Sequence, residues 1–412
     1  MINLDAFEAY VKILVVGVGG GGSNAVNAMV DQGMTDKIDF YVFNTDAQAL
    51  ATSKSPNRLV LGEEITKGLG AGGDPEVGRK AAEASKDDIR EIVSNYDMVF
   101  IACGEGGGTG TGAAPIVGQI AKESGALTLA IVTRPFTFEG NARIKKASEG
   151  ILKIKESVDS LIIISNDKLM FMNGKRPISE AFNESDKVLA QDVRTITDLI
   201  LLPGIINLDF ADIKSTLKDK GMALIGFGTG SGEGKAKMAA ANAVSCPLLE
   251  TSIRGSKTAI VNVVGGDNVT LDEAQEAVRY ITEIAGGDVN IKFGIQTNPQ
   301  FNDEMLVSVI ATDFSNEIDI ANGNIPSNQV NTLINRNGDQ IQVEKPNIDV
   351  DLENANPAQI NNATGAFTND DNVLPDFFKG MNQTSSDFND NDNQQNNEDE
   401  QSSNNIPQEE NI

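Results

Sequence analysis

The sequence has no histidine, no tryptophan and only two cysteines among its 412 residues. Histidine is the commonest general base and the commonest metal ligand in proteins, so any hydrolysis here is expected to depend on carboxylates, water and an oxygen-bound cation. Cys103 and Cys246 lie far apart and form no metal-spaced set. This cysteine usage argues against a disulfide scaffold and favours a reducing compartment.

Positive charge is scarce, since 33 basic residues stand against 59 acidic ones and the formal net charge is −26. Nucleic acid backbones and anionic lipid headgroups are bound by clustered Lys and Arg, so the sequence argues against both as partners. The longest apolar runs, such as Leu127–Val132, are too short to span a bilayer, and the acidic N-terminus is unlike a secretory signal. We therefore expect a cytosolic protein that does not insert into membranes.

The composition changes sharply near Phe314. Residues 317–412 hold 18 acidic and three basic side chains and are crowded with Asn, Gln, Ser and Asp. Such a segment cannot bury enough apolar surface to offset the entropy of ordering, which predicts a disordered acidic tail. One short apolar stretch interrupts it, Asp371–Lys379, with Pro375, Phe377 and Phe378.

Before the tail, apolar runs alternate with helical stretches, which is typical of a parallel sheet covered on both faces. The strands predicted for this first unit are Val11–Val16, Phe40–Phe43, Met98–Ala102, Leu127–Val132 and Leu161–Ile164. Helical spacing over Asp186–Leu202 predicts a long helix leaving the sheet. A second, mixed α+β unit follows, with predicted strands Gly221–Gly228, Lys257–Val264, Val289–Gly294 and Met305–Thr312 and a helix over Leu271–Ile284.

Two glycine-rich segments each join a predicted strand to a predicted helix. The first glycine loop, Gly17–Asn24, contains a G-x-G-x-x-G pattern, and the second, Gly104–Gly112, has five glycines and two threonines in its last seven residues. Glycines let backbone N–H groups approach a phosphate, and two such loops on neighbouring strands favour a phosphate chain longer than a pyrophosphate. A third glycine loop, Gly68–Pro75, is a candidate to close over a terminal phosphate, with a plain surface loop as the alternative.

Two other kinds of phosphate site are alternatives to this interpretation. A dinucleotide fold has some support, because Asp46 ends the second strand about where a ribose-binding carboxylate would lie. A P-loop is excluded at Gly234-Lys235. The motif needs Gly at 229, where the sequence has Thr, and it needs Ser or Thr at 236, where the sequence has Ala. The site is therefore expected to rely on backbone dipoles together with Mg²⁺.

Six segments together carry a resemblance to a known family. They occur in the same order as in bacterial FtsZ, and they are Asn44–Leu50, Gly68–Gly78, Gly106–Gly112, Arg134–Gly140, Asn166–Leu169 and Asn207–Asp212. The likeness covers about residues 10–316, and the chain is identified as a member of the tubulin/FtsZ superfamily. The resemblance implies a GTPase that polymerises head to tail into filaments and builds the bacterial division ring, in the cytoplasm at mid-cell. The alternative is a monomeric NAD(P)-binding oxidoreductase of Rossmann type.

The resemblance also implies roles for individual residues. The residues implied to hold the phosphates are Gly20, Gly21, Gly22, Asn24, Gly107, Gly108, Thr109 and Gly110, and Ser23 and Asn44 complete this part of the site. Those implied to sense the γ-phosphate are Ala71, Gly72 and Gly73, and those implied to contact the ribose and its surroundings are Glu139 and Arg143. Asn166 and Asp186 would read guanine, with Phe182 stacking on it. From the residues alone, a surface turn is favoured for Asn166 and a core contact for Phe182.

Residues 207–212, here called the acid loop, have the pattern Asn-x-Asp-x-x-Asp. As a bare pattern, a helix N-cap at Asp209 or Asp212 is favoured over a Ca²⁺ site. The resemblance implies instead that Asn207, Asp209 and Asp212 enter the nucleotide site of the next subunit and that the two acids polarise the attacking water. Hydrolysis would then depend on assembly.

These inferences combine into one predicted architecture. It is an α/β protein with an N-terminal Rossmann-like parallel-sheet GTPase domain, a central helix, a smaller α+β C-terminal domain and a disordered acidic tail. The predicted boundaries are 1–10 for an N-terminal extension, 11–184 for the GTP-binding domain, 185–202 for the central helix, 203–220 for the catalytic loop and connection, 221–316 for the C-terminal domain and 317–412 for the tail. The resemblance implies that residues 371–380 are the peptide for docking to membrane-tethering and regulatory division proteins, with a chance apolar patch in a disordered chain as the alternative.

Overall fold

The computed structural model describes residues 11–34, 37–173, 178–246 and 249–314, with the backbone alone at 170–173, 178, 179 and 181. The predicted N-terminal extension, the acidic tail and the candidate docking peptide at 371–380 lie outside these residues. None of the helices in the described ranges is both long enough and apolar enough to cross a bilayer.

The described strands form one continuous sheet. The strands are β1 (Ile13–Val18), β2 (Ile38–Asn44), β3 (Asn57–Val60), β4 (Met98–Gly104), β5 (Leu127–Arg134), β6 (Ser160–Ser165), β7 (Gly221–Ser231), β8 (Ser256–Gly265), β9 (Asn290–Thr297) and β10 (Glu304–Phe314). Their order across the sheet is β3-β2-β1-β4-β5-β6-β7-β10-β8-β9.

Helices cover both faces of the first part of the sheet. The helices are α1 (Gly19–Asp31), α2 (Ala47–Ala51), α3 (Glu63–Thr66), α4 (Pro75–Ala84), α5 (Lys86–Val93), α6 (Thr109–Glu123), α7 (Asn141–Ser157), α8 (Asn166–Asn173), α9 (Ile178–Leu201), α10 (Phe210–Leu217), α11 (Lys235–Val244) and α12 (Leu271–Ala285). Short 3-10 turns occur at Thr137–Glu139 and Pro299–Phe301.

The first six strands are parallel, as the alternating pattern predicts. Strand β4 shows why their sequences are continuously apolar. Met98 and Phe100 pack in the core on one face of the sheet, whereas Val99 and Ile101 pack in the core on the other. Each side of the strand therefore excludes water, and both sets of side chains stabilise the fold by apolar burial.

The last four strands form the mixed unit that the sequence predicts. Strand β10 lies antiparallel to both β7 and β8, and β9 lies parallel to β8 at the edge. The two parts of the sheet meet at β6 and β7, which run parallel and pair at three positions, from Ser160–Gly221 to Ile162–Ala223.

Helix α9 differs from its prediction at one end. It ends at Leu201, close to the expected position, but it begins at Ile178 rather than at Asp186. The additional turns carry polar side chains such as Glu180 and Asn183, which show no apolar periodicity. They pack against α8, so tertiary contact supplies a stabilisation that the local pattern does not reveal.

The carboxyl ends and the amino ends of the parallel strands form two chemically different edges of the sheet, here called the glycine edge and the acid edge. Because β1 to β6 are parallel, the loops that follow them share one edge, where all three glycine loops lie. Helix α9 begins at this edge and has 24 residues, so it extends about 36 Å. The segment after it returns at the opposite edge, where the Ser160 hydroxyl donates to the Leu217 carbonyl oxygen at 2.6 Å. The acid loop therefore lies far from the glycine loops of the same molecule.

Candidate nucleotide site

The three glycine loops pack backbone against backbone. Gly19, at the start of α1, has φ of +72°, and a Cβ placed on it would lie 2.7 Å from the backbone nitrogen of Gly110. A Cβ on Gly108 would lie 2.9 Å from the backbone nitrogen of Asp74. Only glycine permits these approaches, which bring the first loop against the second and the second against the third.

Four other glycines face open space. Apart from the adjoining backbone, a Cβ on any of them would meet no atom within 4 Å, and they are Gly20, Gly72, Gly73 and Gly107. They come from all three loops and border a cradle without side chains. Backbone N–H groups in such a cradle are suited to an anion with several oxygens, because the phosphate oxygens can approach each of them directly.

Two helices point uncapped N-termini at this edge. Helix α1 begins after Val18 and α6 begins after Gly108, and neither start receives a side-chain cap or carries an acidic residue in its first turn. The first N–H groups of both helices are therefore available to a ligand, and the positive ends of their dipoles favour negative charge.

Two predicted site residues position the loops and do not face the open space. Ser23 is buried, and its hydroxyl donates to the carbonyl oxygen of Gly19 at 2.7 Å. Asn44 is buried, and its Oδ1 lies 3.3 Å from the Asp46 nitrogen that donates to it. Asn24 is exposed at the first loop. The hydroxyls of Thr45 and Thr109 lie 2.6 Å apart and join the end of β2 to the second loop.

Asp46 has a local structural role. Its Oδ1 accepts from the backbone nitrogens of Gln48 and Ala49, at 2.9 and 3.1 Å, and caps α2. One oxygen of the carboxylate on which the dinucleotide alternative depends is therefore engaged as an N-cap.

The third loop has a cationic neighbour that sequence reasoning missed. Ala71 is buried and Gly72 and Gly73 are exposed. Nζ of Lys146, on α7, donates to the carbonyl oxygen of Gly73 at 2.7 Å. A lysine distant in sequence thus lies beside the loop expected to sense the terminal phosphate, and no local motif signals it.

Glu139 ends the 3-10 turn before α7, and Arg143 lies in the first turn of α7, next to the second loop. They form an ion pair of 3.1 Å, and Glu139 Oε1 also accepts from the Phe136 nitrogen at 2.9 Å. A Cβ on Gly106 would lie 2.7 Å from Cγ of Arg143. Arg143 therefore packs against the second glycine loop, and its ion pair joins Glu139 to that loop.

The residues expected to read guanine converge where α8 meets α9. Asn166 is buried at the start of α8, and its Oδ1 accepts from the Ser185 hydroxyl at 2.8 Å, so the surface-turn interpretation is wrong. The next residue, Asp186, is half-buried, and burial raises its pKa to about 7. Phe182 is 39 % exposed and contacts Phe136 edge to face at 5.0 Å between centroids, so it is not a core residue.

The acid loop is remote from these groups, and its carboxylates cap α10. Asp209 Oδ1 accepts from the Asp212 nitrogen at 2.7 Å, and the pair forms a capping box, as the bare pattern predicts. Nζ of Lys292 donates to Asp212 Oδ1 at 2.9 Å and holds the pKa of that carboxyl below its ordinary value. Asn207 is exposed, and its Oδ1 accepts from the Gly204 nitrogen at 2.5 Å.

One further carboxyl group was overlooked in the sequence. Glu105 lies inside the second glycine loop, and it is buried, with Oε1 3.6 Å from the Cys103 Sγ that donates to it. The available signal was a single acidic residue within a run of glycines expected to hold an anion.

Comparison with known proteins identifies the family. Residues 12–174 match the family described as Tubulin/FtsZ family, GTPase domain, and residues 221–315 match the FtsZ family, C-terminal domain. The structure resembles that of an empty FtsZ dimer from M. jannaschii at 38 % sequence identity, with a TM-score of 0.70, over 75 % of this chain and 90 % of that one. The chain belongs to the tubulin/FtsZ family.

More distant members of the tubulin/FtsZ family share the fold. GDP-bound monomeric CetZ1 from Haloferax volcanii is 19 % identical, with a TM-score of 0.67, over 76 % of this chain and 97 % of that one. A CetZ2 protofilament from the same organism, bound to GTPγS, is 18 % identical, with a TM-score of 0.64, over 76 % and 96 %. Binding and hydrolysis of GTP are properties of this family, and the glycine cradle lies within the matched GTPase domain.

Proposed function

We propose that this protein hydrolyses GTP at junctions between its own subunits, polymerises head to tail, and forms the filaments of a bacterial division ring in the cytoplasm at mid-cell. The observation that carries the proposal is the separation of the glycine cradle from the acid loop within one molecule. Stacking the acid edge of one subunit on the glycine edge of another would bring the acid loop of the first against the glycine cradle of the second.

The length of α9 supports this division of the site. Asp186, near its start, stands about 22 Å along the helix axis from Leu201 at its end. Asp209 and Asp212 follow that end. The chain between that end and the acids is held at β9, where the Ile205 nitrogen donates to the Ile295 carbonyl oxygen at 2.7 Å and Lys292 pairs with Asp212, so the acids stay at the far end of α9 from the glycine loops of their own subunit.

Exposed apolar side chains on both edges support self-association. At the glycine edge, Leu69 is 80 % exposed and Phe138 is 58 % exposed, and at the acid edge Leu202 is 49 % exposed and Ile205 is 67 % exposed. Apolar groups of this size in water favour burial against a partner. Two of the similar structures are a dimer and a protofilament, which agrees with an end-to-end contact.

The cradle would hold the nucleotide in three parts. The open glycines would bind the phosphates, Glu139 and Arg143 would contact the ribose, and Asp186 would accept from N1–H and the amino group of guanine, with Asn166 beside it. The described residues include no cluster of three or more acidic or cysteine side chains that could hold a metal ion. Mg²⁺ would then be bound through phosphate oxygens and water and would offset the charge of the polyphosphate.

The acid loop of the next subunit would complete the reaction. Asp209 and Asp212 would polarise the water that attacks the γ-phosphate, and Asn207 would help to place it. The Lys292 contact keeps Asp212 ionised, which a proton acceptor requires. Phosphoryl transfer depends mainly on positioning and charge stabilisation, and an interface can supply both.

A dilution series tests the dependence on assembly. We expect GTP hydrolysis per molecule to rise with protein concentration above a threshold, in parallel with sedimentable filaments. A specific activity that stays constant on dilution would contradict the proposal.

A mixing experiment tests the shared site directly. Gly107→Val places a side chain in the open cradle, where a Cβ would meet no atom within 4 Å beyond its chain neighbours, and it should block nucleotide binding. Asp212→Asn removes the acid but leaves the cradle intact. Each variant alone should be inactive, and the mixture should regain turnover at hybrid junctions.

The matched control is Asp219→Asn, which makes the same chemical change on the connection between α10 and β7, where Asp219 pairs with Lys122 at 2.7 Å. This variant should keep its own activity. If Gly107→Val and Asp212→Asn co-sediment in mixed filaments yet recover no turnover, the shared site is wrong.

A further inference from the structure

Glu105 is a buried carboxyl group directly behind the second glycine loop, and the chemistry described above does not use it. The residue is 2 % exposed. Its Oε1 receives the weak hydrogen bond from Cys103, its Oε2 has no partner in good hydrogen-bond geometry, and the nearby Thr111 hydroxyl offers it partial compensation. A buried polar atom without a partner is costly, so its persistence requires a physical reason.

The carboxyl group joins the loop to α7. A Cβ on Gly150 would lie 2.2 Å from Oε2 of Glu105, so this oxygen faces the backbone of α7 directly. The next loop residue, Gly106, packs against Arg143 at the start of the same helix and donates its N–H to Oγ1 of Thr111 at 2.8 Å. A change of charge on Glu105 therefore changes the electrostatic environment of both the second glycine loop and α7.

Few charged or titratable groups in the described ranges face Glu105. Strand β4 contributes the Cys103 thiol, and β5 contributes the Arg134 guanidinium. The uncharged neighbours are the Thr111 hydroxyl of α6 and the Gly150 backbone of α7. Burial outweighs the favourable effect of the first three and raises the pKa of Glu105 to about 7.

We propose that Glu105 is a proton-dependent positioning residue of the phosphate site, whose neutral form supports nucleotide binding and whose ionised form opposes it. The inference rests on the proposed function, because it takes the second glycine loop as the segment that holds the phosphates. An ionised Glu105 puts a negative charge in the interior just behind a bound polyanion, and the two repel each other strongly at low dielectric. The neutral form removes this repulsion and leaves the loop N–H groups unopposed.

The direction of the pH effect follows from linkage. A bound nucleotide disfavours a second negative charge nearby, so it raises the pKa of Glu105 further. Binding then takes up a proton near neutrality, and the contribution of Glu105 to affinity falls as the pH rises through about 7. If binding raises the pKa by one unit, affinity is about tenfold weaker above this range than below it.

The test measures GDP binding to the full chain by calorimetry, which avoids turnover, from about pH 5.5 to about pH 8.5 on either side of the transition. Wild type is compared with Glu105→Gln. The titrations of the nucleotide phosphate and of Asp186 are common to both proteins, so the ratio of their Kd values isolates Glu105. We expect the ratio of wild type to variant to rise from about 1 in acid to about 10 in alkali.

Glu149→Gln is the matched control, because Glu149 adjoins Gly150 on α7 but is exposed, and its Kd should follow that of wild type throughout. If Glu105→Gln does not fold, Glu105→Met, which also removes the ionisable group, takes its place. A ratio independent of pH would overturn the inference, as would the same pH dependence in Glu149→Gln. Failure of wild type to bind GDP at every pH would contradict the proposed function, and this inference with it.

Discussion

The half-buried carboxyl group of Asp186 predicts that guanine recognition depends on pH. The ionised form accepts from the N1–H and amino groups of guanine, whereas the protonated form cannot accept both. Burial raises the pKa of Asp186 to about 7. About one-tenth of the free protein therefore carries the recognising form at pH 6, and about nine-tenths does so at pH 8.

Because the ionised fraction of Asp186 rises about tenfold between these two pH values, its contribution should strengthen GDP binding about tenfold over the same range. The sign is opposite to that inferred for Glu105, because a bound base stabilises the ionised form of Asp186 and binding releases a proton. The measurement is the Kd of wild type divided by that of Asp186→Asn at each pH. We expect this ratio to fall as the pH rises.

A change of base specificity gives a second readout for the same residue. The amide N–H of Asp186→Asn can donate to the O2 of xanthine, which occupies the position of the guanine amino group. The variant should therefore lose affinity for GTP and gain affinity for xanthosine triphosphate. Glu180→Gln, an exposed change on the same helix, should alter neither property. If Asp186→Asn binds GTP with the affinity and pH profile of wild type, the assigned role is wrong.

Three other predictions concern separate parts of the chain. Asp212→Ala should bind GTP but not hydrolyse it, and loss of its half of the capping box and of the Lys292 contact should lower the free energy of unfolding by at most about 1 kcal/mol in denaturant titrations; normal turnover would contradict its role. Gly19→Ala should lose nucleotide binding and about 2 kcal/mol or more of stability, because its backbone is left-handed and its Cβ would meet Gly110; a wild-type midpoint and Kd would refute this. Deletion of residues 371–380 should abolish co-sedimentation with membrane-tethering division proteins and leave GTPase activity unchanged, and unchanged co-sedimentation would exclude that segment as the docking peptide.

The fold was largely predictable because its central strands are buried on both faces. Strands such as β4 and β5 are continuous apolar runs, and their positions follow from composition alone. The edge strand β3 was missed, because its four residues include the exposed Arg58 and are otherwise only partly buried. The start of α9 was missed because packing against α8, and not an apolar stripe, stabilises it.

The candidate site was predictable where chemistry lies in local sequence and not where it depends on tertiary contact. The spacing of the glycines in the three loops predicts an anion site, and the structure brings these loops together. Lys146 joins the third loop from α7, which follows it by many residues, so no motif connects the two. The significance of Glu105 required its burial to be known, since an exposed glutamate in a loop would carry no constraint.

The narrow junction between β6 and β7 has a mechanical consequence. These strands pair at three positions, whereas β7 and β10 pair at nine, so the continuous sheet consists of two extensively paired halves joined by a short junction. Two side chains add contacts between the halves. Nζ of Lys168 donates to the Leu249 and Glu250 carbonyl oxygens at 2.6 and 2.9 Å. Arg134 pairs with Glu250 at 3.2 Å. Tension applied across the sheet, from β3 towards β9, would act on the fewest strand pairings at this junction.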